Sequence, residues 1–538
     1  MPDPASDFDA LAEEFYAVWF RYRPDLALTV GVPGYGFLLP AQDDDEVDVL
    51  ASWLESLLLG LDEVDCRALD PDRRLDYALM AGSARLEHRE LRDLDWRRRD
   101  PLRFLPLGEI YRLTLEPTEA LGDWLARLLS QVPEYLRHAQ GQLREAVGSL
   151  APGLVRAAAR EAEEGRCYLR DLVRGPWLRG RCQGLNELES LAELACDALV
   201  GFRDLLVGEI LPQATGSLGC GASHLALRLA ELHFLQVDGA RAGDALERAI
   251  TGVEEAIRGC PPVSPSEAAP DRLEGVKAQP AVSASEYQSL CDGLRREIQT
   301  SGLVSLPREP LGVDIRPPCP GLERFVVSYR AWDTGAGTLY LTPGGPGDAA
   351  GYRESLRDAC LAAGWGGAHL LAFAHRPRAG RMPRRLANAQ SLSLGWHLYL
   401  DRAFSMRPEA DPGRRIACLE RQRERLFLAR LDLDLHRGLV DENGALARLA
   451  AIGQAGPMAD AQLADIARAP GDALAGALGW LLLEAAREEW GGCEGGAPSP
   501  RDFHNALLSQ GTVPLPLVLG SVFGEDLWRR SYERVFQD

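Results

Sequence analysis

Apolar residues recur at three- and four-residue spacing along most of this chain. Phe8, Leu11, Phe15, Val18 and Trp19 follow that spacing near the start, and Leu191, Leu194, Ala198, Phe202 and Leu205 repeat it further on. The spacing lays one apolar stripe along a helix, and such a stripe has to be buried against neighbours. The pattern therefore predicts a mainly α, multi-helix protein. At 538 residues, 46% of them hydrophobic, the chain can fill one large core or two to three ordinary ones.

Two stretches break the helical pattern. From 261 to 285, Pro261, Pro262, Pro265, Pro270 and Pro280 stand among Ser, Ala and Glu, which suits a long connection. It divides an N-terminal helical lobe of about 1–260 from a C-terminal lobe of about 288–538, with a linker of about 261–287. The segments 324–332 and 338–342 are rich in β-branched and aromatic residues and predict two short strands, a small β element near 324–342. The acidic run Asp43-Asp44-Asp45-Glu46 reads as a surface loop.

A formal charge of −20, from 79 acidic and 59 basic side chains, gives no general attraction to phosphate backbones or anionic lipid, so nucleic acid and membrane are set aside as partners. The eleven cysteines are odd in number, scattered and without a Cys-x-x-Cys pair, which argues against a disulfide framework or a thiolate zinc site. The first residues have no basic segment followed by an apolar one, and the stretch 473–483 is shorter than the roughly 18–20 residues of a membrane span. The expected location is the cytoplasm. No internal repeat is visible.

Two stretches have the frame of a metal motif. One reads Leu361-Ala362-Ala363-Gly364-Trp365-Gly366-Gly367-Ala368-His369-Leu370, the other Leu394-Gly395-Trp396-His397-Leu398-Tyr399. Together with Phe8-Asp-Ala-Leu-Ala-Glu-Glu-Phe-Tyr16, Thr338-Leu-Tyr-Leu-Thr342, Pro470-Gly-Asp-Ala473 and the segment from Phe503 to Leu515, their order and spacing resemble the bacterial family known as domain of unknown function 885, a group similar to zinc metallopeptidases. The resemblance runs over nearly the whole length. It implies one family-wide domain, 1–538, with a metallopeptidase-like fold and a central cleft.

The family signature, His-Glu-x-x-Pro-Gly-His-His-Leu-Gln followed by Glu-Gly-Trp-x-Leu-Tyr, supplies imidazoles and a carboxylate for Zn²⁺ and a Glu to take a proton from the bound water. Laid on this chain, the first His falls on Ala362, its Glu on Ala363, the paired histidines on Ala368 and His369, and the Glu of the second motif on Leu394. A methyl or isobutyl group has no lone pair to donate. The family's Ser-Tyr-Lys becomes Ala475-Gly476-Ala477, and an expected Arg becomes Leu428. The resemblance therefore implies a vacated zinc site, with no catalytic residue and no metal.

Some functional side chains remain. His369 fits a hydrogen-bonded core histidine, or, with His397 and a carboxylate such as Asp401, part of a rebuilt metal site; His375 lies in the same window. Cys360 fits a buried inert thiol, or a nucleophile paired with a histidine. Asp432 and His436 are four apart and share a helix face, either lining a cleft or stabilising the helix. His504 reads as structural. Arg376, Arg378 and Arg381 belong to a run of five arginines in ten residues, which can clamp an acidic ligand or be solvated. The overall expectation is a non-catalytic binding or interaction protein, its partner a peptide or small acidic ligand, or an intact paralogue. The alternative is a hydrolase with a rebuilt site.

Overall fold

The computed structural model describes residues 4–115, 120–182, 184–261, 284–316, 319–320, 328–331, 335–341, 357–358, 360–374, 381–387, 389–408, 410–491 and 499–537. The structure is mainly helical, as the periodicity predicts. It divides into two compact units, each made of separated segments. The first unit comprises Met1–Cys220, Pro317–Glu323 and Gly438–Arg468, and the second comprises Gly221–Arg316, Arg324–Arg437 and Ala469–Asp538. The boundary expected near residue 260 does not coincide with this division, because the Gly239–Gly259 helix packs on the Pro412–His436 helix of the second unit. Most of the expected linker lies outside the described residues, and its last residues already belong to the Ala284–Ser301 helix.

In the first unit, the predicted opening helix is Pro4–Tyr22, with Phe8, Phe15 and Trp19 buried. Phe15 stacks on Trp19 at 4.8 Å and on Trp53 of the next long helix at 5.9 Å. The acidic run is not a loop. Asp43 caps the Asp44–Glu63 helix, accepting from the Asp45 N–H at 2.9 Å, and the next three acids form its first turn, where the helix dipole favours negative charge.

The Leu185–Leu205 helix keeps Phe202 and Leu205 of the predicted stripe but shifts its first three positions by one residue. Ala192, Ala195, Cys196, Leu199, Phe202 and Leu205 are buried, whereas Leu194 is 56% exposed. The small residues face inward because this helix packs on two others at once, Leu121–Glu145 and Pro152–Arg174.

In the second unit, the two expected strands form as β2 (Ser328–Ala331) and β3 (Gly337–Leu341), an antiparallel pair. A third strand, β1 (Leu311–Ile315), pairs parallel to β3, giving the order β1-β3-β2. Sequence periodicity missed β1: five residues with Gly312 and Asp314 among them give no clear alternation.

The Gln390–Ser405 and Asp472–Gly491 helices carry the core of this unit. They meet backbone to backbone at a pair of glycines. A Cβ on Gly395 would stand 2.9 Å from the backbone of Gly479 and Trp480, and one on Gly479 would overlap the carbonyl of Ser391. Trp396 and Trp480, beside these glycines, are fully buried.

Candidate functional site

The 361–370 stretch is held in place by close packing. Gly367 closes a tight turn in which any Cβ would overlap the carbonyl of Ala362, and the Trp396 indole donates to the Gly366 carbonyl at 2.7 Å. The 361–370 stretch is thus tied to the Gln390–Ser405 helix by hydrogen bonding, and the glycines at 364 and 367 are steric requirements of the turn.

Hydrocarbon side chains stand at positions where the family resemblance leads one to expect donors. The isobutyl group of Leu394 packs onto Gly476, so closely that a Cβ at Gly476 would collide with it. Two positions that the family resemblance marks as changed are therefore in contact, and the larger side chain at 394 occupies the space left by the smallest residue at 476.

His369 is fully buried. Its Nε2–H donates to the Glu309 carbonyl at 3.1 Å, and its ring packs between Trp365 at 4.6 Å and Phe373 at 4.9 Å. Burial lowers its pKa to about 4, so it is a neutral imidazole with Nε2 committed to a backbone oxygen.

His397 faces a different partner: its Nε2 lies 3.6 Å from Oδ1 of Asp358. Burial alone would raise the Asp358 carboxyl, but His397 and then Arg421 hold it well below the usual carboxylate range. Asp401 accepts from Arg421 Nη2 at 2.9 and 3.1 Å, and from Ser405 at 3.2 Å. Asp358, His397, Asp401 and Arg421 thus form one polar cluster. Sequence reasoning named His397 and Asp401 but missed Asp358 and Arg421, which come from other helices.

The Cys360 thiol is buried, and hydrogen bonding to Cys291 together with burial pushes its pKa far up, which opposes a nucleophilic thiolate. Asp432 accepts from the N–H groups of Gly471 at 2.9 Å and Leu474 at 3.0 Å, at the start of the Asp472–Gly491 helix, with His436 Nε2 3.5 Å from it. Burial pushes this carboxyl up to about 7 against those two donors. The pair ties one helix to the beginning of another. His504 donates through Nδ1 to the Leu303 carbonyl and accepts through Nε2 from the Tyr399 hydroxyl, both at 2.8 Å. Burial lowers its pKa to about 4 and raises that of Tyr399 to about 12.

Arg376, Arg378 and His375 lie outside the described residues. Arg384, from the same basic run, is buried and bonded to Gln510 at 3.0 Å, and Arg381 precedes the short Met382–Leu386 helix. A different set of arginines lines a cavity of about 280 Å³: Arg295, Arg308 and Arg501, with Gln299 and Ser305. Arg295 also stacks over Trp365 at 4.4 Å, which puts one wall of that cavity against the motif frame.

Zinc would need at least three protein donors converging on one point. The residues at the motif positions do not meet that need: 362, 363, 368 and 394 are hydrocarbon, His369 is bonded to a carbonyl, and His397 is turned to Asp358. Among the described residues, no group of three or more His, Cys, Asp or Glu is placed to hold a metal ion. Among them, too, no helix is long and apolar enough to cross a membrane.

No curated protein matches the chain. Among the solved structures that share its fold are these two. One, described as "a putative lipoprotein of unknown function from Shewanella oneidensis", is 14% identical, with a TM-score of 0.69 over 96% of this chain and 99% of the other. The second, described as "the putative lipoprotein from Colwellia psychrerythraea", is also 14% identical, with a TM-score of 0.73 over 99% of each chain. Residues 352–522, which hold both motif stretches, match the family described as "Bacterial protein of unknown function (DUF885)".

Proposed function

We propose that this chain is a binding or interaction protein built on a zinc-peptidase-like scaffold from which the hydrolytic chemistry has been lost. The observation that carries the reading is the packing of Leu394 onto Gly476. An isobutyl group stands where the family resemblance expects a metal-ligating carboxylate, and the neighbouring residue has shrunk to accommodate it. His369 supports the same reading, since burial keeps it neutral and a backbone carbonyl occupies its Nε2.

The ligand that suits the retained frame is small and acidic. Arg295, Arg308 and Arg501 line the cavity beside Trp365 and can take carboxylate or phosphate oxygens through paired N–H donors. The lipoprotein description of both structural neighbours argues against assuming the cytoplasm for this chain, and fractionation of cells expressing it untagged separates membrane-associated from cytoplasmic protein.

The loss of hydrolysis is tested by incubating the purified chain with a mixed peptide pool, with and without added Zn²⁺, and reading fragments by mass spectrometry. The expected result is no fragment beyond those in a chelator-treated control. Fragments that appear with zinc and vanish with chelator would overturn the proposal.

A further inference from the structure

The first unit contains a second cavity, of about 230 Å³, which the family motifs do not reach. Four arginines line it: Arg23, Arg103, Arg112 and Arg468. Two of them are committed. Arg23 donates to Glu87 at 2.8 Å and twice to Asp25 at 3.1 Å, and Arg468 donates to Asp100 at 2.9 Å.

The other two have ion pairs only at longer range. Arg103 Nε stands 3.7 Å from Asp100, with its guanidinium over the Trp96 ring at 5.5 Å, and Arg112 Nη1 stands 3.6 Å from Glu109. Both separations are beyond hydrogen-bond range. Burial, reinforced by the neighbouring charge of Arg23, lowers the Arg103 pKa against the opposing pull of Asp100 and Glu90.

The same cavity holds the complementary deficiency. Glu109 and Glu161 also line it, and among the described residues neither has an arginine within hydrogen-bond distance. Burial raises both carboxyls, that of Glu161 to about 7. All four groups are half-buried, and a charge partly withdrawn from water without a hydrogen-bonded partner carries some of the cost of burial. Here two donors and two acceptors of opposite sign are kept around one empty volume, with Leu102 and Leu105 supplying apolar wall.

We infer that this cavity binds a small amino-acid-like zwitterion, its carboxylate taken by Arg103 and Arg112 and its ammonium by Glu109 and Glu161. A guanidinium matches a carboxylate through paired N–H donors, and an ammonium matches carboxylates that no cation reaches within hydrogen-bond distance. The leucines receive the side chain. This inference does not depend on the loss of hydrolysis in the second unit.

The test is calorimetry on the full chain with each of the twenty free L-amino acids and with glycylglycine, alongside N-acetyl amide derivatives and inorganic phosphate. At least one free zwitterion is expected to bind saturably, with its neutral derivative inactive. Arg103→Met and Arg112→Met, which keep most of the side-chain stem, are each expected to weaken binding by about tenfold or more. Glu161→Gln serves as a second variant, also expected to weaken binding, should an arginine variant melt earlier than the parent. Absence of saturable binding by any zwitterion would overturn the inference. So would binding unchanged in all three variants, or phosphate or a neutral derivative competing as well as the zwitterion.

Discussion

Replacing Gly395 by Ala puts one methyl group between the two central helices of the second unit. Its Cβ would stand 2.9 Å from the carbonyl carbon of Gly479 and the nitrogen of Trp480. Ordinary carbon contacts lie at about 3.5–4.0 Å. Backbone cannot swing aside as a side chain can, so the helices must separate by several tenths of an ångström, over a contact that includes fully buried Trp396 and Trp480. Overpacking of this kind costs about 1–3 kcal/mol. Removing a helical glycine returns about 1 kcal/mol, which leaves a net loss of up to about 2 kcal/mol. Gly479→Ala should cost more, because its Cβ would overlap the Ser391 carbonyl outright. Gly252→Ala is the control: Gly252 lies inside the Gly239–Gly259 helix with nothing within 4 Å of its Cβ position, so it should stabilise by roughly 0.5–1 kcal/mol. Urea unfolding followed by tryptophan fluorescence gives all three values. If G395A and G479A stabilise as G252A does, the two helices do not meet as described and the packing argument fails.

Other outcomes follow from the buried polar groups. His369 and His504 both have folded pKa values of about 4 against an ordinary value near 6.5, so between those pH values the unfolded chain binds protons that the folded chain does not. Stability present above pH 6.5 should therefore fall as pH drops toward 4, by at most about 3 kcal/mol for each histidine, and the H369Q/H504Q double variant should show a shallower fall in urea midpoint. Tyr399→Phe removes the hydroxyl that donates to His504 Nε2 and should cost about 1–3 kcal/mol by the same assay. Asp432→Ala should cost at least as much, because it strips the acceptor from two buried N–H groups, while D432N should recover part of the loss.

Helix content was legible in the sequence because the apolar spacing of segments such as 8–19 reports a buried face directly. The facing was less so. At Leu185–Leu205 the buried side is lined by Ala192, Ala195 and Cys196, which a hydrophobicity pattern ranks below Leu194, and only the presence of two packing partners explains the choice. The two-unit division was not legible, since the first unit is completed by Gly438–Arg468 from far along the chain.

At the motif positions, residue types alone told which donors were missing. They did not tell what filled the space, because the Leu394–Gly476 contact joins two helices distant in sequence. Nor could they supply Asp358 and Arg421, whose meaning comes from their distances to His397 and Asp401. The charged cavity of the first unit was invisible for the same reason: Arg23, Arg103, Arg112 and Arg468 form no motif, and their difference in pairing appears only in three dimensions.

The claim that zinc hydrolysis has been lost rests on donor chemistry, and metal content addresses it most directly. Untagged protein purified without chelator, dialysed against excess Zn²⁺ and then against metal-free buffer, should retain only substoichiometric zinc by mass spectrometry. One tightly held zinc per chain, lost together with peptidase activity on chelation, would contradict the account.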